Sequence, residues 1–432
     1  MRESILALNA DFRRMWMAFV ISGLGSAVTM IALPLIALFI LDATAFEIGL
    51  LTSMGTLPLI VIGLPAGAWI DRVRKRTVLI VTDLVRAVVL LSVPIATWLG
   101  VLTIGQLYVV AVLTGVASIF FGAANVGYVS LLVKGDDLTK GYAAMETGGA
   151  LTNVVGPAAG GFLIQWLAAP IALVVDAASF LASAVLKGRI RAVEPEPKRS
   201  PDRRLSKEIA EGLRFVVNEP TLRVIVTSTA ALALFNVMVN AMLVVWLTQN
   251  LRQTEVIVGV TYAVAGGLAV VASLFTTRLT ARFGHGPTAC LAALFSGLAA
   301  LAIPFAEADW RLWMAMVANG VAMALGVVYR VAQVSVRQRL CPPELNGRMN
   351  ATIQVTVWSA VTVGALVAGV LAELLTVPTT LWIGAGGQVL VAVIMLSSRL
   401  RRVRELPSAA VLNDDGATET ASDADVPIKT GR

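Results

Sequence analysis

Long apolar segments, each about 20 residues, alternate along this chain with short polar turns, and a segment of that length crosses the hydrocarbon core of a bilayer as a helix. The pattern predicts twelve helices, near 13–40, 46–70, 77–98, 105–132, 141–167, 169–187, 222–248, 256–277, 287–305, 312–336, 348–374 and 378–398. The turns between them differ by parity. One set carries Arg72/Arg74/Lys75/Arg76, Lys134/Lys140, Arg278/Arg282 and Arg337/Arg339/Arg348. The other carries Asp42, Glu47, Glu307, Asp309 and Glu373, and of 34 Lys and Arg residues only Arg252 and Arg311 fall on that acidic face. Basic loops stay on the cytoplasmic side, so both termini are expected in the cytoplasm and the chain is expected to be a multi-pass protein of the plasma (inner) membrane. Trp98, Trp166, Trp246, Trp310, Trp313 and Trp382 fall at the predicted external helix ends, where amphipathic rings favour the interface.

One connection is long, and it divides the chain. The organisation it predicts is an N-terminal six-helix bundle over 1–187, a cytoplasmic linker over 188–221, a second six-helix bundle over 222–404, and a disordered polar tail over 405–432. Within the linker, Leu205, Ile209, Leu213, Val216 and Val217 form a helical stripe after Ser206, closed by Pro220, which reads as an amphipathic helix on the membrane surface. The halves also echo each other. Val155–Leu163 aligns with Val363–Leu371, and Asp71–Arg76 with Thr277–Arg282, at nearly one offset. Two similar bundles facing a central cavity are the architecture of a rocking transporter. The expected fold is therefore an all-α membrane protein of twelve transmembrane helices in two pseudo-symmetric bundles.

Composition narrows the function. The chain is 57% hydrophobic and 14% charged, with a mean hydropathy of +0.81, which excludes an ordinary soluble enzyme of 432 residues. Its net charge of +7 sits in short loops beside apolar spans, so it reads as a topology signal near lipid headgroups and implies no nucleic acid. Cys290 and Cys341 are far apart and imply no disulfide framework, and the single His285 leaves no basis for a His-based metal site. No metal and no organic cofactor are expected. An integral membrane enzyme or receptor is a remote alternative, disfavoured by the lack of a catalytic cluster in the spans and by the short external loops.

Two segments carry most of the local signal. Gly63–Arg76 places Gly67, Asp71, Arg72 and Arg76 at the cytoplasmic end of the second span, where Gly67 permits a close helix crossing and Asp71 can accept from a helix N-terminus or pair with Arg72 or Arg76. Such a cluster suits a cytoplasmic gate. In the fifth span, Gly148, Thr152, Gly156 and Gly160 recur every fourth residue, as do Gly149, Asn153, Pro157 and Gly161, giving two adjacent ridges of small or helix-distorting residues.

These motifs resemble those of the major facilitator superfamily. Gly67 to Arg76 is similar to its signature between helices two and three, and Thr152-x-x-x-Gly156-Pro157-x-x-Gly160-Gly161 to the helix-five motif of its drug:proton antiporters. Val175–Phe180 and Glu211–Phe215 look like the branch of macrolide, tetracycline and multidrug exporters. The likeness reaches from about Phe12 to Arg404. Arg74 and Thr152 stand where the motifs usually have Gly, and the fourth span has no Arg of the kind tied to proton coupling in many antiporters. The resemblance implies alternating access, with export of an amphipathic small molecule driven by a proton gradient. A lysophospholipid or siderophore carrier on the same scaffold is the alternative, and a monomer in contact with membrane lipids is expected.

Physical reasoning supplies the remaining candidates. An acid at bilayer depth is costly and is a functional hypothesis by default. Asp176, midway in the sixth span, is the first candidate for proton coupling, followed by Glu146 and Asp83; Asp83 is expected to pair with Arg86 one turn away. Helices one, four, seven and ten line the cavity in the fold the resemblance implies. Thr29, Asn125, Asn236, Asn240, Asn319 and Gln333, with Gln354 and Trp358 on the eleventh span, are the candidate substrate contacts. Sparse uncharged hydrogen-bonding groups among apolar side chains suit a bulky, partly apolar ligand.

Overall fold

A computed structural model describes residues 9–70, 72–133, 137–194, 213–341 and 346–402. Twelve long helices account for nearly all of them: α1 Ala10–Ile40, α2 Ala45–Ile70, α3 Lys75–Trp98, α4 Ile104–Leu132, α5 Asp137–Leu167, α6 Ala169–Gly188, α7 Pro220–Val245, α8 Glu255–Phe283, α9 His285–Ala300, α10 Trp310–Leu340, α11 Asn346–Leu374 and α12 Val377–Ser397. Asp71, most of the linker's first part and the polar tail lie outside the described residues.

Local signals set the helix starts. Asn9 accepts from the Phe12 amide at 2.9 Å, Thr103 from Gln106 at 3.3 Å, Asp309 from Arg311 at 2.8 Å and Thr376 from Thr379 at 3.2 Å, each satisfying an amide that the first turn leaves without a partner. Pro170, Pro220 and Pro378 stand in the first turns of α6, α7 and α12, where a missing N–H costs nothing. Eleven helices contain an apolar window long enough to cross a membrane; among the described residues α5 is the exception.

In the first bundle, α1 packs on α5 and α6, α3 on α4 and α6, and α2 on α4. In the second, α7 packs on α11 and α12, α9 on α10 and α12, and α8 on α10. Adding six to each helix number maps the first set onto the second. The bundles meet along two seams that the same operation exchanges, α5 on α8 and α2 on α11. The π-helical turn Trp246–Asn250 ends α7, and the following Arg252 has positive φ (52°), as does Asp42 (50°) after α1. Equivalent helices thus leave by equivalent strained turns.

Of the connection between the bundles, only residues 188–194 and 213–221 are described. Residues 213–218 are helical, but Leu213 and Val217 are exposed, whereas Val216 is buried with Leu222, Val226, Cys341, Met349 and Ile353. This turn anchors to the end of the second bundle through Val216 and Phe215, and Leu205 and Ile209 of the expected stripe lie outside the described residues. Of the interfacial tryptophans, Trp98, Trp166, Trp310 and Trp313 are exposed at helix ends, while the Trp246 Nε1 is buried.

Candidate functional site

The site is the space between the bundles and the contacts that close one end of it. Gly161 on α5 lies against Gly259 on α8 so closely that a Cβ on Gly259 would sit 2.7 Å from the Gly161 carbonyl oxygen. At the symmetric position, a Cβ on Gly49 of α2 would sit 2.5 Å from the Ala365 carbonyl oxygen and 2.9 Å from the Gly369 Cα on α11. Only glycine allows backbones to approach so far. Farther along the second seam, the Ser53 hydroxyl donates to the Thr362 carbonyl (3.1 Å), and the Thr56 and Thr362 hydroxyls share a hydrogen bond of 2.6 Å. Gln249 after α7 donates to the Ala43 carbonyl (2.7 Å), linking the helix turns across the same end.

One turn beyond Thr362 the helices part. Trp358 and Gln354 on α11 are exposed, joined by an indole-to-amide hydrogen bond of 3.0 Å. Asn236 on α7 is exposed and accepts from Asn240 on both its backbone and its side-chain oxygen, at 2.9 and 3.1 Å. A Cβ added to Gly122 of α4 or Gly326 of α10 would touch nothing. The molecule is therefore closed at the end of the α1–α2 and α7–α8 turns and open toward the end that carries the connection between bundles. Near the open end, Glu146 on α5 is within electrostatic reach of Arg337 on α10.

The two ridges of α5 divide their work. Gly148, Thr152, Gly156 and Gly160 face α1, where they meet Trp16, Gly23, Ala27 and Val28. Gly161, from the other ridge, meets α8 instead. Pro157 lies inside the continuous helix between them.

The candidate gate is described only in part. Asp71 is outside the described residues, and Gly67 lies within α2. Glu194, in the segment after α6, receives the Lys75 and Arg76 amides at 2.6 and 3.1 Å, so it caps α3 in the manner anticipated for Asp71. Arg76 donates to the carbonyls of Lys187 (3.2 Å) and Gly188, closing the C-terminus of α6 within its own bundle. Arg72 is exposed and, with Arg74, rims a recess of about 630 Å³ on the outer flank of α2, α3 and α4 whose walls include Trp69, Val81, Leu113 and Phe120.

A buried charge cluster crosses the first bundle. The Lys187 Nζ pairs with Asp83 Oδ2 at 2.6 Å, and both side chains are completely buried. Asp83 thus takes its partner from α6 rather than from Arg86, as had been expected. Arg86 lies over the rings of Phe121 and Phe180, 5.0 and 5.1 Å from their centroids, and Lys187 shares the Phe121 face at 4.4 Å. Asp176, also fully buried, is the next charge along α6 and interacts electrostatically with Arg86. Its carboxylate accepts from Ser179 at 3.0 Å and from Thr29 on α1. Two cations and two anions therefore balance inside the bundle, with Asp83 Oδ1 and Arg86 Nε left without hydrogen-bond partners.

This placement sorts the remaining candidates. Thr29 turns toward α6 and not toward the gap. Asn319 and Gln333 are buried within the second bundle at 2% and 4% exposure, with Asn319 Nδ2 and Gln333 Oε1 unpartnered, and Asn125 Oδ1 on α4 is likewise buried without a partner. Lys187, Glu194 and Gly259 were missed from the sequence. Gly259 alone left a trace, since it occupies in α8 the place of Gly49 in α2.

The comparisons agree with this architecture. The transmembrane secretion effector family model matches residues 6–424. The multidrug efflux pump Tap of Mycolicibacterium fortuitum is 26% identical over 365 residues, covering 82% of this chain and 87% of that protein. The Tap pump of Mycobacterium tuberculosis is 28% identical over 371 residues, covering 82% and 85%. Among solved structures, a bacterial homologue of the iron transporter ferroportin in an inward-facing state has a TM-score of 0.70 at 14% identity, covering 91% of this chain and 99% of that one. The nucleoside transporter NupG has a TM-score of 0.68 at 11% identity, covering 90% and 98%. The chain is a membrane transporter and not an enzyme, and it belongs to the transmembrane secretion effector family of the major facilitator superfamily.

Proposed function

We propose that this protein is an exporter of drugs and other amphipathic small molecules from the cytoplasm, working by alternating access as a proton antiporter in the plasma membrane. The observation that carries the reading is the pair of glycine seams. They close one end of the gap while the other end stands open beside the connection, which the basic loops assign to the cytoplasm. A substrate enters from that side, contacts Asn236, Asn240, Gln354 and Trp358, and leaves when the seams part and the bundles close around Glu146 and Arg337. The named activity of the Tap relatives supports the direction of transport.

Asp176 is the proposed coupling acid. Its bond to Thr29 ties a group of the peripheral α6 to α1, a helix at the gap, so a change in its protonation is felt where the bundles move. Arg86, Asp83 and Lys187 hold it in a charge-balanced setting. The remaining residues act by position: the α5 ridge keeps α1 close, and Glu194 and Arg76 fix the ends of α3 and α6.

The test is efflux of a drug panel from cells carrying the wild type or Asp176→Asn, with substrate-driven proton release measured in proteoliposomes. Asparagine keeps an acceptor for Thr29 and Ser179 but cannot titrate. The expected result is retained substrate binding with loss of uphill efflux and of proton movement. Uphill efflux at the wild-type rate in Asp176→Asn would remove the coupling assignment, and transport of lysophospholipid alone would favour a lipid carrier.

A further inference from the structure

We propose that Arg330 is the anchor for an anionic headgroup, so that the preferred substrates are amphiphiles bearing one negative charge, such as a carboxylate or a sulfonate, rather than lipophilic cations. The inference deepens the export reading and rests on it for direction of transport, but binding can be tested without it.

Arg330 lies about 20 residues, or roughly 30 Å, from the start of α10 and half that from its end, so it sits toward the cytoplasmic end of the span, at the open side of the gap. Its helix neighbours Val328, Tyr329, Ala332, Gln333 and Val336 are buried, whereas Arg330 is exposed. Direction follows from the helical period. Gly326, four residues earlier on the same face, borders open space, and Arg337, seven residues later on that face, interacts with Glu146 of the opposite bundle. The lipid-facing side of α10 is a different one, marked by exposed Trp313, Val317, Val321 and Val331. Arg330 therefore faces the gap.

A guanidinium facing a gap between apolar helices attracts a counter-charge. No ion pair or electrostatic partner is recorded for Arg330 among the described residues. The spans α4, α7 and α10 contain no Asp or Glu at all, and α1 has only Asp11 in its first turn. The acids Asp83 and Asp176 are committed to Lys187 and to Thr29, Ser179 and Arg86 inside the first bundle. Trp358, exposed where the bundles part, offers an apolar face to the body of an amphiphile. A lipophilic cation would instead meet an unneutralised positive charge.

The experiment uses full-length protein. Binding of 8-anilinonaphthalene-1-sulfonate, a neutral analogue lacking the sulfonate, and ethidium is measured by fluorescence on purified wild type, Arg330→Gln, Arg330→Lys and Arg330→Glu, together with uptake of the same probes into inverted vesicles. The expected result is tighter wild-type binding of the sulfonate than of ethidium. Arg330→Gln should weaken the sulfonate about ten- to hundredfold, the range of a charge-assisted contact, with under threefold effect on the neutral probe. Lysine should restore part of the loss and glutamate should favour ethidium. Equal losses for all three probes, or no loss for any, would overturn the assignment. Charge-selective binding without vesicle uptake would leave this inference standing while sinking the export reading, and uptake indifferent to position 330 would do the reverse.

Discussion

The buried pair between Asp83 and Lys187 makes a sharp energetic prediction. Both side chains are fully buried, their contact is 2.6 Å, and Asp83 Oδ1 already lacks a partner. Lys187→Met preserves the volume of the side chain and its contact with Phe121, but it strands a carboxylate in the bundle. Removing one member of a buried pair costs about 3–5 kcal/mol. Removing both, in Asp83→Val with Lys187→Met, leaves Arg86 balanced by Asp176, and replacement of a whole pair by apolar groups is close to neutral, within about 1–3 kcal/mol for imperfect packing. At roughly 2–4 °C per kcal/mol for a unit of bundle size, the single variant should melt about 6–20 °C below wild type, and the double variant should recover most of that. Thermal unfolding of purified protein in detergent, followed through intrinsic tryptophan fluorescence, reads the cycle. A double variant that melts no higher than Lys187→Met would refute the reasoning, because the two charges would then not be answering each other.

Two further outcomes follow from the seams and the open end. Gly161→Val inserts side-chain atoms where α5 and α8 backbones touch, an overpacking of about 1–3 kcal/mol, which should shift the equilibrium roughly 5- to 150-fold away from the closed seam. Maleimide labelling of Gln354→Cys should slow accordingly as the opposite end closes, and an unchanged rate would show that the seam does not govern the gap. Arg337→Glu places two like charges across the open end with Glu146, and the swap Glu146→Arg with Arg337→Glu should restore transport. The expected loss is up to about fivefold and should shrink in high salt, since a solvated pair contributes about 0.2–1 kcal/mol. Failure of the swap to rescue would assign Arg337 another role.

The helices, their order and the two-fold echo were legible because length, apolarity and turn charge are local properties. The alignment of Val155–Leu163 with Val363–Leu371 even placed Gly161 opposite Gly369, which the fold turns into symmetric members of the two seams. Partners were not legible. The Asp83–Lys187 pair joins residues 104 apart, and the nearer Arg86 offered a plausible i,i+3 alternative that the aromatic rings of Phe121 and Phe180 take instead. Helix facing was the other gap. When a helix is apolar on every side, as α1 is, periodicity does not say which side holds protein and which lines the cavity. Thr29 was therefore assigned to the gap, although its hydroxyl serves Asp176. The cap on α3 was not legible either, because Glu194 arrives from beyond α6, 119 residues from the Lys75 amide it receives.

The weakness of the seams is itself part of the mechanism proposed for coupling. A proton moving down one pH unit supplies about 1.4 kcal/mol, and a membrane potential of 100 mV adds about 2.3 kcal/mol per charge. A seam held by buried ion pairs would cost more to open than one proton provides. Among the described residues the closed end is held by glycine backbones, two Ser/Thr hydroxyl contacts, one glutamine bond and buried apolar side chains that the two bundles share in one cluster. The strong electrostatics lie elsewhere, inside the first bundle, where Lys187 and Asp83 stay together while Asp176 reaches α1. Rigid charge within a bundle and soft contact between bundles let a single protonation event, coupled through Thr29, compete with the interface it must open.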